Sequence, residues 1–450
     1  MNKTKLGITL LSLVILSLLR LEARAEHTTL SLDGDWQIAE GKMEVAPNFF
    51  EHSVPVPGLV SLATPPFNPR PGPKVDFALR KAKPQKDPAR DAFWYRRTFQ
   101  ISSELPPVAV LKVRKAMFGS QVFLNGQLLG QHLPSFTPGY FNARPALKKG
   151  ENVILIRIGA DRDSVSKLVP DGMDFEKQRY IPGIFDSVDL ILSGTPHFIQ
   201  LQAAPKITNQ TVRVQAVICN DGESVSRSVS FVVREAKSKR IVGRLTTEPL
   251  TFGKGAETTV DVCVAIKNCR LWSPEDPFLY QLEADSGSDS YQTRFGMREF
   301  KLTPAHEGQP GRAWLNGKPC FMRGSNFVLY RFFEDDQCRN LPWKADWVRL
   351  LHQRVKEMHW NSVRYTIGPP PEAWYDIADE LGILIQDEFP FWGGWYGTQT
   401  TSAEELAKEY TEMMRDHWNH PCVVIWDAQN ETVCDQTAAA IEMVRPLDLS

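Results

Sequence analysis

Residues 422–431 read Cys-Val-Val-Ile-Trp-Asp-Ala-Gln-Asn-Glu, a continuously apolar run that passes directly into polar residues. Residues 383–388 have the same design, because Ile-Leu-Ile precedes Gln-Asp-Glu. Strands that do not alternate between apolar and polar residues are typical of parallel sheets covered on both faces. The two runs therefore predict a parallel sheet whose polar residues gather at the carboxyl ends of its strands.

Helical segments alternate with strands throughout this region. Four helices are predicted, near residues 344–358, 372–381, 402–417 and 436–444. Four short strands are predicted, at residues 321–323, 362–365, 383–385 and 422–426. These elements make four βα units, whereas a closed (β/α)8 barrel needs eight units and about 250 residues. Residues 301–450 are therefore predicted to form the first half of a TIM barrel, with an open four-unit α/β layer as the alternative.

The residues before this region have the short β-rich runs and turn residues of antiparallel sheets. Gln121 to Leu129 predicts a hairpin, because Asn125-Gly126 supplies the positive φ angles of a type I′ turn. The strand pattern continues in residues 198–300, which have the size of an immunoglobulin-like β-sandwich. A Pro-rich stretch, residues 65–88, is interpreted either as an exposed excursion that rims a ligand site or as a loop without a function.

The first 25 residues are interpreted as a secretory signal. Two lysines precede an apolar run from Leu6 to Leu19, and Ala23-Arg24-Ala25 has the small-x-small pattern of a cleavage site. The apolar run is shorter than the ~20 residues that span a bilayer, so an uncleaved anchor is the less favoured alternative. We therefore expect a periplasmic or secreted protein that has no membrane span after cleavage.

Charge and cysteine content bear on the partners of the protein. The chain carries 52 Lys+Arg and 53 Asp+Glu, so it lacks the basic excess that nucleic-acid binding normally shows. The seven cysteines are odd in number and scattered, which argues against a disulfide framework, although Cys263 and Cys269 are close enough in sequence to pair across a turn. The sequence predicts neither a metal site nor a cofactor. It leaves open whether the protein forms a homo-oligomer.

Polar and aromatic side chains are predicted to meet at the carboxyl ends of the strands, where barrel enzymes place their catalytic residues. The candidates are Arg364, Glu388, Trp392, Asp427, Asn430 and Glu431. Tryptophan rings stack on the apolar faces of sugars, while carboxylate, amide and guanidinium groups form hydrogen bonds with hydroxyls. The combination predicts a carbohydrate site, and cleavage of a glycosidic bond there requires two carboxyl groups.

Each candidate also has a structural interpretation. Arg364 is equally well an ion-pair partner of Glu388 inside the barrel, since buried charges are usually paired. Trp392 is alternatively a packing residue. Asp427 is more readily a supporting acid than a catalyst. Glu431, taken alone, is a carboxylate at a helix N-terminus that the helix dipole stabilises.

The stretch 419–431 begins with Asn-His-Pro and ends with Asn430-Glu431. It resembles the acid/base signature of glycoside hydrolase family 2. This family contains β-galactosidases, β-glucuronidases and β-mannosidases. Further stretches resemble the family in order and spacing, namely residues 32–36, 94–97, 182–185, 271–274, 294–298, 315–318, 361–364 and 379–382. The resemblance implies a jelly-roll sugar-binding β-sandwich over residues 26–197, an immunoglobulin-like β-sandwich over residues 198–300 and a partial TIM-barrel catalytic domain over residues 301–450.

The resemblance also implies a reaction. Glu431 is implied to be the general acid/base, and Asn430 to bond the sugar 2-hydroxyl. The other residues expected to bind substrate are Arg364, Glu388, Asp427 and Trp392. The family's retaining mechanism needs a nucleophilic Glu on a later barrel strand, and the chain stops at Ser450 before that strand. We therefore expect an exported retaining β-glycosidase whose 450-residue chain is inactive by itself, with a non-catalytic carbohydrate-binding protein as the alternative.

Two departures from the family lie beside the predicted site. Residues 327–329 are Phe-Val-Leu, where the family often has histidines. Residues 365–369 are Tyr-Thr-Ile-Gly-Pro, where the family commonly has a Ser-His-Tyr-Pro-like run. Because these positions line the substrate-side loops, the sequence predicts no particular sugar.

Overall fold

The computed structural model describes residues 27–68, 74–76, 81–83, 90–172, 179–305, 310–392, 401–431 and 434–449. These residues form two antiparallel β-sandwiches followed by a parallel α/β sheet. The predicted signal peptide lies outside the described residues, as does most of the stretch 65–88. Within the described part of the chain, no helix has both the length and the apolar character that crossing a bilayer requires.

The first sandwich is a jelly roll with two main sheets. The four-stranded sheet contains, in order of pairing, β1 (Thr28–Ser31), β15 (Val188–Ser193), β8 (Val108–Val113) and β12 (Gly139–Asn142). The six-stranded sheet contains β11 (Gln127–His132), β10 (Ser120–Leu124), β13 (Gly150–Gly159), β7 (Ala92–Ile101), β2 (Gly34–Gly41) and β3 (His52–Val56). Two smaller sheets contain β4 (Gly58–Leu59), β14 (Gly183–Ile184) and β9 (Ala116–Met117), and β5 (Lys74–Asp76) and β6 (Lys81–Lys83). Burial alternates along β13, so every second side chain faces the core.

The hairpin predicted around Asn125-Gly126 is confirmed. β10 and β11 pair antiparallel on either side of these two residues, whose φ angles are +51° and +83°. Both residues therefore occupy the left-handed region that a type I′ turn requires. The Asn125 side chain also holds the loop in place, because its Nδ2 donates to the carbonyl of Ala146 at 2.9 Å.

The second sandwich is immunoglobulin-like, as predicted. Its three-stranded sheet contains β16 (His197–Lys206), β17 (Thr211–Asn220) and β22 (Ala256–Ala265). Its four-stranded sheet contains β20 (Ile241–Thr246), β19 (Ser230–Glu235), β23 (Tyr280–Asp285) and β24 (Ser290–Phe295), and a two-stranded sheet contains β18 (Val225–Arg227) and β21 (Leu250–Phe252).

The suggested pairing of Cys263 with Cys269 is wrong. All seven cysteines are free, and Cys263 is exposed on β22 while Cys269 packs against the core of this domain.

The third region contains a short antiparallel sheet and the parallel sheet. The antiparallel strands are β25 (Phe300–Thr303), β26 (Arg312–Leu315) and β27 (Lys318–Cys320). The parallel strands, which pair in chain order, are β28 (Gly324–Val328), β29 (Ser362–Thr366), β30 (Leu384–Glu388) and β31 (Val423–Asp427). The helices are α1 (Leu329–Glu334), α2 (Ala345–Glu357), α3 (Glu372–Leu381), α4 (Ala403–His417) and α5 (Asp435–Val444). Pairing in chain order without a reversal is the arrangement of a TIM barrel, whereas a doubly wound sheet reverses its strand order.

The four predicted helices are confirmed, and the Ser402 side chain accepts from the Glu405 backbone N–H at 3.2 Å, as a helix cap should.

The prediction of a strand at residues 321–323 is wrong, because these residues connect β27 to β28. The parallel strand begins at Gly324, where an added Cβ would lie 1.8 Å from the carbonyl oxygen of Ser362. Pairing with β29 therefore starts at the residue that has no side chain. Helix α1 was not among the predicted elements.

The second sandwich packs on helix α3 through two of the stretches that resemble the family. Trp272 is fully buried and donates from Nε1 to the carbonyl of Asp379 at 2.9 Å. Helix α3 ends at Gly382, which has a φ of +70°, and a Cβ there would lie 2.9 Å from the backbone of Pro274. A glycine at this position allows both the left-handed helix end and the close approach of the second sandwich.

A buried network of charged side chains joins the first sandwich to helices α3 and α4. Lys115 is fully buried and donates to Asp186 Oδ2 at 2.7 Å, and the same oxygen accepts from the Glu372 backbone N–H at 3.1 Å. Lys112 donates to Asp416 Oδ1 on α4 at 2.7 Å. The network holds the first sandwich against the helices that cover the parallel sheet.

Candidate active site

The ends of β29, β30 and β31 place five polar side chains on one face of the parallel sheet. Arg364 is aligned with Gln386, and Glu388 with Asp427. Side chains two residues apart on a strand share a face, so Thr366 joins Arg364, and Glu388 joins Gln386. Hydrogen bonds connect these residues into one cluster at the carboxyl ends of the strands.

Arg364 lies at the centre of this cluster. Its Nε donates to Asp427 Oδ2 at 2.9 Å. Its Nη2 lies 2.5 Å from Glu388 Oε2 and donates to Asn430 Oδ1 at 2.9 Å. A planar guanidinium has its donors in a fixed arrangement, so one side chain orients two carboxylates and an amide. The ion pair with Glu388, one of the two interpretations of Arg364, is thus present, and contact of Arg364 with a substrate stays a prediction.

Glu388 is fully buried and is held by the end of β29. Its Oε2 accepts from the Thr366 hydroxyl at 2.6 Å, and its Oε1 accepts from the Ile367 backbone N–H at 2.8 Å. Burial raises the pKa of Glu388 to about 7, although Arg364 and both hydrogen bonds favour the charged form. Ile367 has a φ of +59°, which is unusual for a β-branched residue, and its hydrogen bond to Glu388 supports this conformation.

The raised pKa predicts a pH-dependent stability that depends on Glu388. Between pH 4.5 and about 7 the folded protein keeps a proton on Glu388 that the unfolded chain releases, so the free energy of unfolding falls as pH rises through this window. The change from 4.5 to about 7 corresponds to about 3 kcal/mol. Urea unfolding at a series of pH values should show this slope in the wild type and a flatter profile for Glu388→Gln. An unchanged slope in the variant would contradict the assignment to Glu388.

Asp427 ends β31 and fixes the orientation of Arg364. A single oxygen, Oδ2, accepts from Arg364 Nε at 2.9 Å and from Gln386 Nε2 at 2.8 Å. Gln386 lies on the adjacent strand β30, and Arg364 lies one strand further away on β29. This arrangement suits a supporting acid that holds a binding residue in place, which is one of the two interpretations that the sequence allowed.

Asn430 and Glu431 follow β31 in an irregular segment. The strand ends at Asp427, and the Asn430 backbone N–H donates to the carbonyl of Phe391 at 3.0 Å. Glu431 is exposed and has a φ of +55°. In a regular strand the two side chains would point to opposite faces, and the end of the strand removes this constraint. Helix α5 begins only at Asp435, so Glu431 does not lie in the first turn of a helix.

Trp392 is buried, with 2% of its surface exposed. It packs in the large core that includes the first sandwich and the parallel sheet, and its Nε1 has no hydrogen-bond partner among the described residues. This position fits the packing interpretation of Trp392. Its contact with a substrate stays a prediction.

Asp387, the neighbour of Glu388, points to the opposite face of the sheet. Its Oδ1 accepts from the Tyr375 hydroxyl at 2.6 Å, and its Oδ2 lies 2.7 Å from His417 Nδ1. Both partners belong to helices that cover the sheet. Asp387 therefore anchors α3 and α4 and is not part of the Arg364 cluster.

Sequence reasoning missed Thr366 and Gln386. Both lie two residues from a predicted site residue, Thr366 from Arg364 and Gln386 from Glu388. The period of two along a strand was the signal that could have found them, because it places each pair on one face. The hydrogen bond from the Ile367 backbone had no comparable signal in the sequence.

Two domain models of one protein family match the chain. The model described as "Glycosyl hydrolases family 2" matches residues 197–298, and the model described as "Glycosyl hydrolases family 2, TIM barrel domain" matches residues 309–450. Together these matches cover more than half of the chain.

Relatives and solved structures agree with this match. The chain is 26% identical over 331 residues to a beta-glucuronidase of Bacteroides fragilis, which covers 69% of this chain and 46% of that protein. It is 22% identical over 360 residues to a beta-galactosidase of Thermoanaerobacter pseudethanolicus, which covers 76% of this chain and 45% of that protein. The fold is similar to that of a beta-D-mannosidase from Dictyoglomus thermophilum, with a TM-score of 0.70, 20% identity and coverage of 94% of this chain and 57% of that chain. The chain thus spans less than half the length of these curated relatives. Its two domain matches show that it belongs to glycosyl hydrolases family 2.

Proposed function

We propose that this chain supplies the acid/base half of the active site of an exported retaining β-glycosidase. The observation that carries the proposal is the Arg364 cluster, in which one guanidinium contacts Glu388, Asp427 and Asn430 at the carboxyl ends of three parallel strands. This is the end at which barrel enzymes bind their substrates. Family membership supports glycoside hydrolysis as the chemistry.

Glu431 is the general acid/base in this proposal. It is exposed in a segment that follows directly on the cluster, so it can exchange protons with a leaving group and with water. Glu388 is a poor candidate for this role, because it is fully buried and three donors already bind its two oxygens. Asp427 is engaged by Arg364 and Gln386.

A retaining mechanism needs a second carboxylate about 5 to 5.5 Å from the acid/base. Since Glu388 and Asp427 are held by other side chains, we assign this nucleophile to a part of the full-length protein beyond these 450 residues. The greater length of the curated relatives supports this assignment.

Asn430 is proposed to bind the sugar 2-hydroxyl. Its Oδ1 accepts from Arg364 at 2.9 Å, so the orientation of the amide directs its nitrogen, a donor, toward other groups. A hydroxyl oxygen of a sugar is a suitable acceptor. Arg364 would then act on the substrate through Asn430.

The proposed compartment is the periplasm or the exterior of the cell, from the signal-like residues 1–25. The proposed substrates are β-linked glycosides as a class. Relatives named beta-glucuronidase and beta-galactosidase recommend glucuronides and galactosides as the first compounds to test, together with mannosides because of the similar fold of a beta-D-mannosidase.

The proposal is tested with the full-length protein that contains these residues and a panel of aryl β-glycosides. Hydrolysis of at least one glycoside with retained configuration is expected. Asn430→Ala should lower kcat/KM for that substrate by about 10- to 100-fold, corresponding to one lost hydrogen bond of about 1.5–3 kcal/mol. The matching 2-deoxy glycoside serves as the control, since the wild type and the variant should hydrolyse it at similar rates.

Two results would count against the proposal. Sugar binding without hydrolysis of any glycoside would favour a non-catalytic carbohydrate-binding protein. An equal loss on the normal and the 2-deoxy substrate would show that Asn430 has no specific contact with the 2-hydroxyl.

A further inference from the structure

A second cluster of chemically reactive side chains lies in the immunoglobulin-like sandwich. His197 is the first residue of β16 and is aligned across the antiparallel pair with Cys219 on β17. Asp221 follows in the turn after β17. The backbone N–H of Asp221 donates to Thr195 Oγ1 at 2.9 Å, which fixes the turn beside the strand that carries His197.

The three side chains have ligand atoms at the spacing of a metal site. Asp221 Oδ2 lies 3.8 Å from His197 Nδ1, and Asp221 Oδ1 lies 3.7 Å from Cys219 Sγ. One nitrogen, one sulfur and one oxygen all lie within 4.8 Å of one another. Bonds from zinc of about 2.3 Å to sulfur and 2.0–2.2 Å to nitrogen and oxygen place tetrahedral ligands roughly 3.3–3.6 Å apart. The side chains thus need only small movements to bind one ion.

His197 supplies an independent indication of a ligand. Its side chain is 9% exposed, and its Nδ1 is a buried atom that has no hydrogen-bond partner in the described part of the chain. Leaving such a nitrogen without a partner is unfavourable in a folded protein.

The charges around this cluster favour a cation. Cys219 lies in the field of Asp221 and Glu257, and His197 in the field of Asp221, Asp289 and His27. Apart from the cluster's own Asp221, these neighbours include two carboxylates, Glu257 and Asp289. Asp221 is 56% exposed, so the cluster has a side open to solvent through which an ion can enter.

Among the described residues, two other groups of ligand-type side chains are less suited to a metal ion. In one of them His420 Nδ1 lies 2.7 Å from Asp379 Oδ2, and Cys422 Sγ donates to the carbonyl of Tyr375 at 3.7 Å. These contacts account for the ligand atoms of that group without an ion.

The other group contains Glu372, Asp416 and His417. Three basic side chains lie within 4.0 Å of its carboxylates, namely Lys112, Arg114 and Lys115. A divalent cation would be repelled by these charges. His417 Nε2 is also unsatisfied, but it lies in these basic surroundings, whereas the unsatisfied nitrogen of His197 lies in acidic ones.

We propose that His197, Cys219 and Asp221 form a zinc-binding site in which solvent supplies the fourth ligand. Sulfur, imidazole nitrogen and carboxylate oxygen in one tetrahedral set suit Zn²⁺ better than Mg²⁺ or Ca²⁺, which prefer oxygen ligands alone. No sequence pattern indicates this site, because His197 and Cys219 are brought together by strand pairing and not by a short motif. Bound zinc would connect the first residue of β16 to the end of β17.

Cobalt and zinc titrations of the 450-residue protein test the proposal. Co²⁺ should bind with one equivalent and produce a thiolate-to-cobalt charge-transfer band, and Zn²⁺ should displace it. Cys219→Ser should abolish the band, and Asp221→Asn should weaken Zn²⁺ binding by at least about tenfold. Asp221→Asn alters an exposed side chain, so this variant should keep the fold.

Cys263→Ser is the matched control, because Cys263 is an exposed cysteine on β22, the strand that pairs with β17. It should leave the band and the zinc affinity unchanged. Thermal melting with and without Zn²⁺ gives a second measurement, and a rise in Tm should be seen for the wild type and Cys263→Ser but not for Cys219→Ser. Absence of a stoichiometric cobalt band in the wild type, or a band that persists in Cys219→Ser, would overturn the proposal.

Discussion

Glu431→Gln is expected to lower the turnover of β-glycosides with poor leaving groups by about 10²–10⁴-fold in the full-length protein. The amide cannot donate the proton that such a leaving oxygen needs. Activated aryl glycosides lose their leaving group without protonation, so formation of the glycosyl-enzyme should be much less affected. Steady-state rates on substrates with leaving groups of graded acidity, with a pre-steady-state measurement of the first step, separate the two effects.

Added azide distinguishes loss of the acid/base from general damage to the site. Hydrolysis of the glycosyl-enzyme needs a base to activate water, whereas azide attacks without base assistance. The Glu431→Gln variant should therefore be rescued by azide and yield a glycosyl azide of retained β configuration. Asp435→Asn, which alters an exposed acid four residues later in the first turn of α5, is the control and should need no rescue. Wild-type rates of Glu431→Gln on unactivated substrates would rule out the assigned role.

The local part of the fold could be predicted from sequence because its causes are local. The apolar runs before Asp387 and Asp427 predicted β30 and β31, and Asn125-Gly126 predicted its hairpin. Ser402 and Gly382 marked the ends of helices, since a cap and a left-handed helix end depend on residues a few positions apart. The start of β28 was misplaced, because it depends on how closely the Ser362 backbone approaches Gly324.

The sequence predicted which residues form the candidate site better than it predicted the contacts between their side chains. Arg364, Glu388 and Asp427 are brought together by strand order, which the alternation of strands and helices indicates. That Arg364 contacts both carboxylates and Asn430 depends on side-chain geometry. The zinc ligands His197 and Cys219 depend on strand register, and a one-residue shift would separate them.

The contacts between the first sandwich and the barrel region could also not be predicted from sequence patterns, because they join residues far apart in the chain. Lys115 and Asp186 belong to the first sandwich, while Glu372 and Asp416 belong to α3 and α4. A buried lysine is stable only if it is paired, and the pairing is visible only in the folded protein. The contribution of this network to the free energy of unfolding can be measured by substituting Lys115.

Lys115→Met is expected to destabilise the protein by about 3–5 kcal/mol, because it leaves the Asp186 carboxylate buried without its cation. Lys149→Met is the matched control, since Lys149 pairs with Glu104 on the surface, where an ion pair adds little stability. Urea unfolding of both variants measures the difference. Adding Asp186→Asn to Lys115→Met should recover part of the loss, since the second substitution removes the uncompensated charge. Equal effects of Lys115→Met and Lys149→Met would show that the buried pair has no special role in joining the first sandwich to the helices of the barrel.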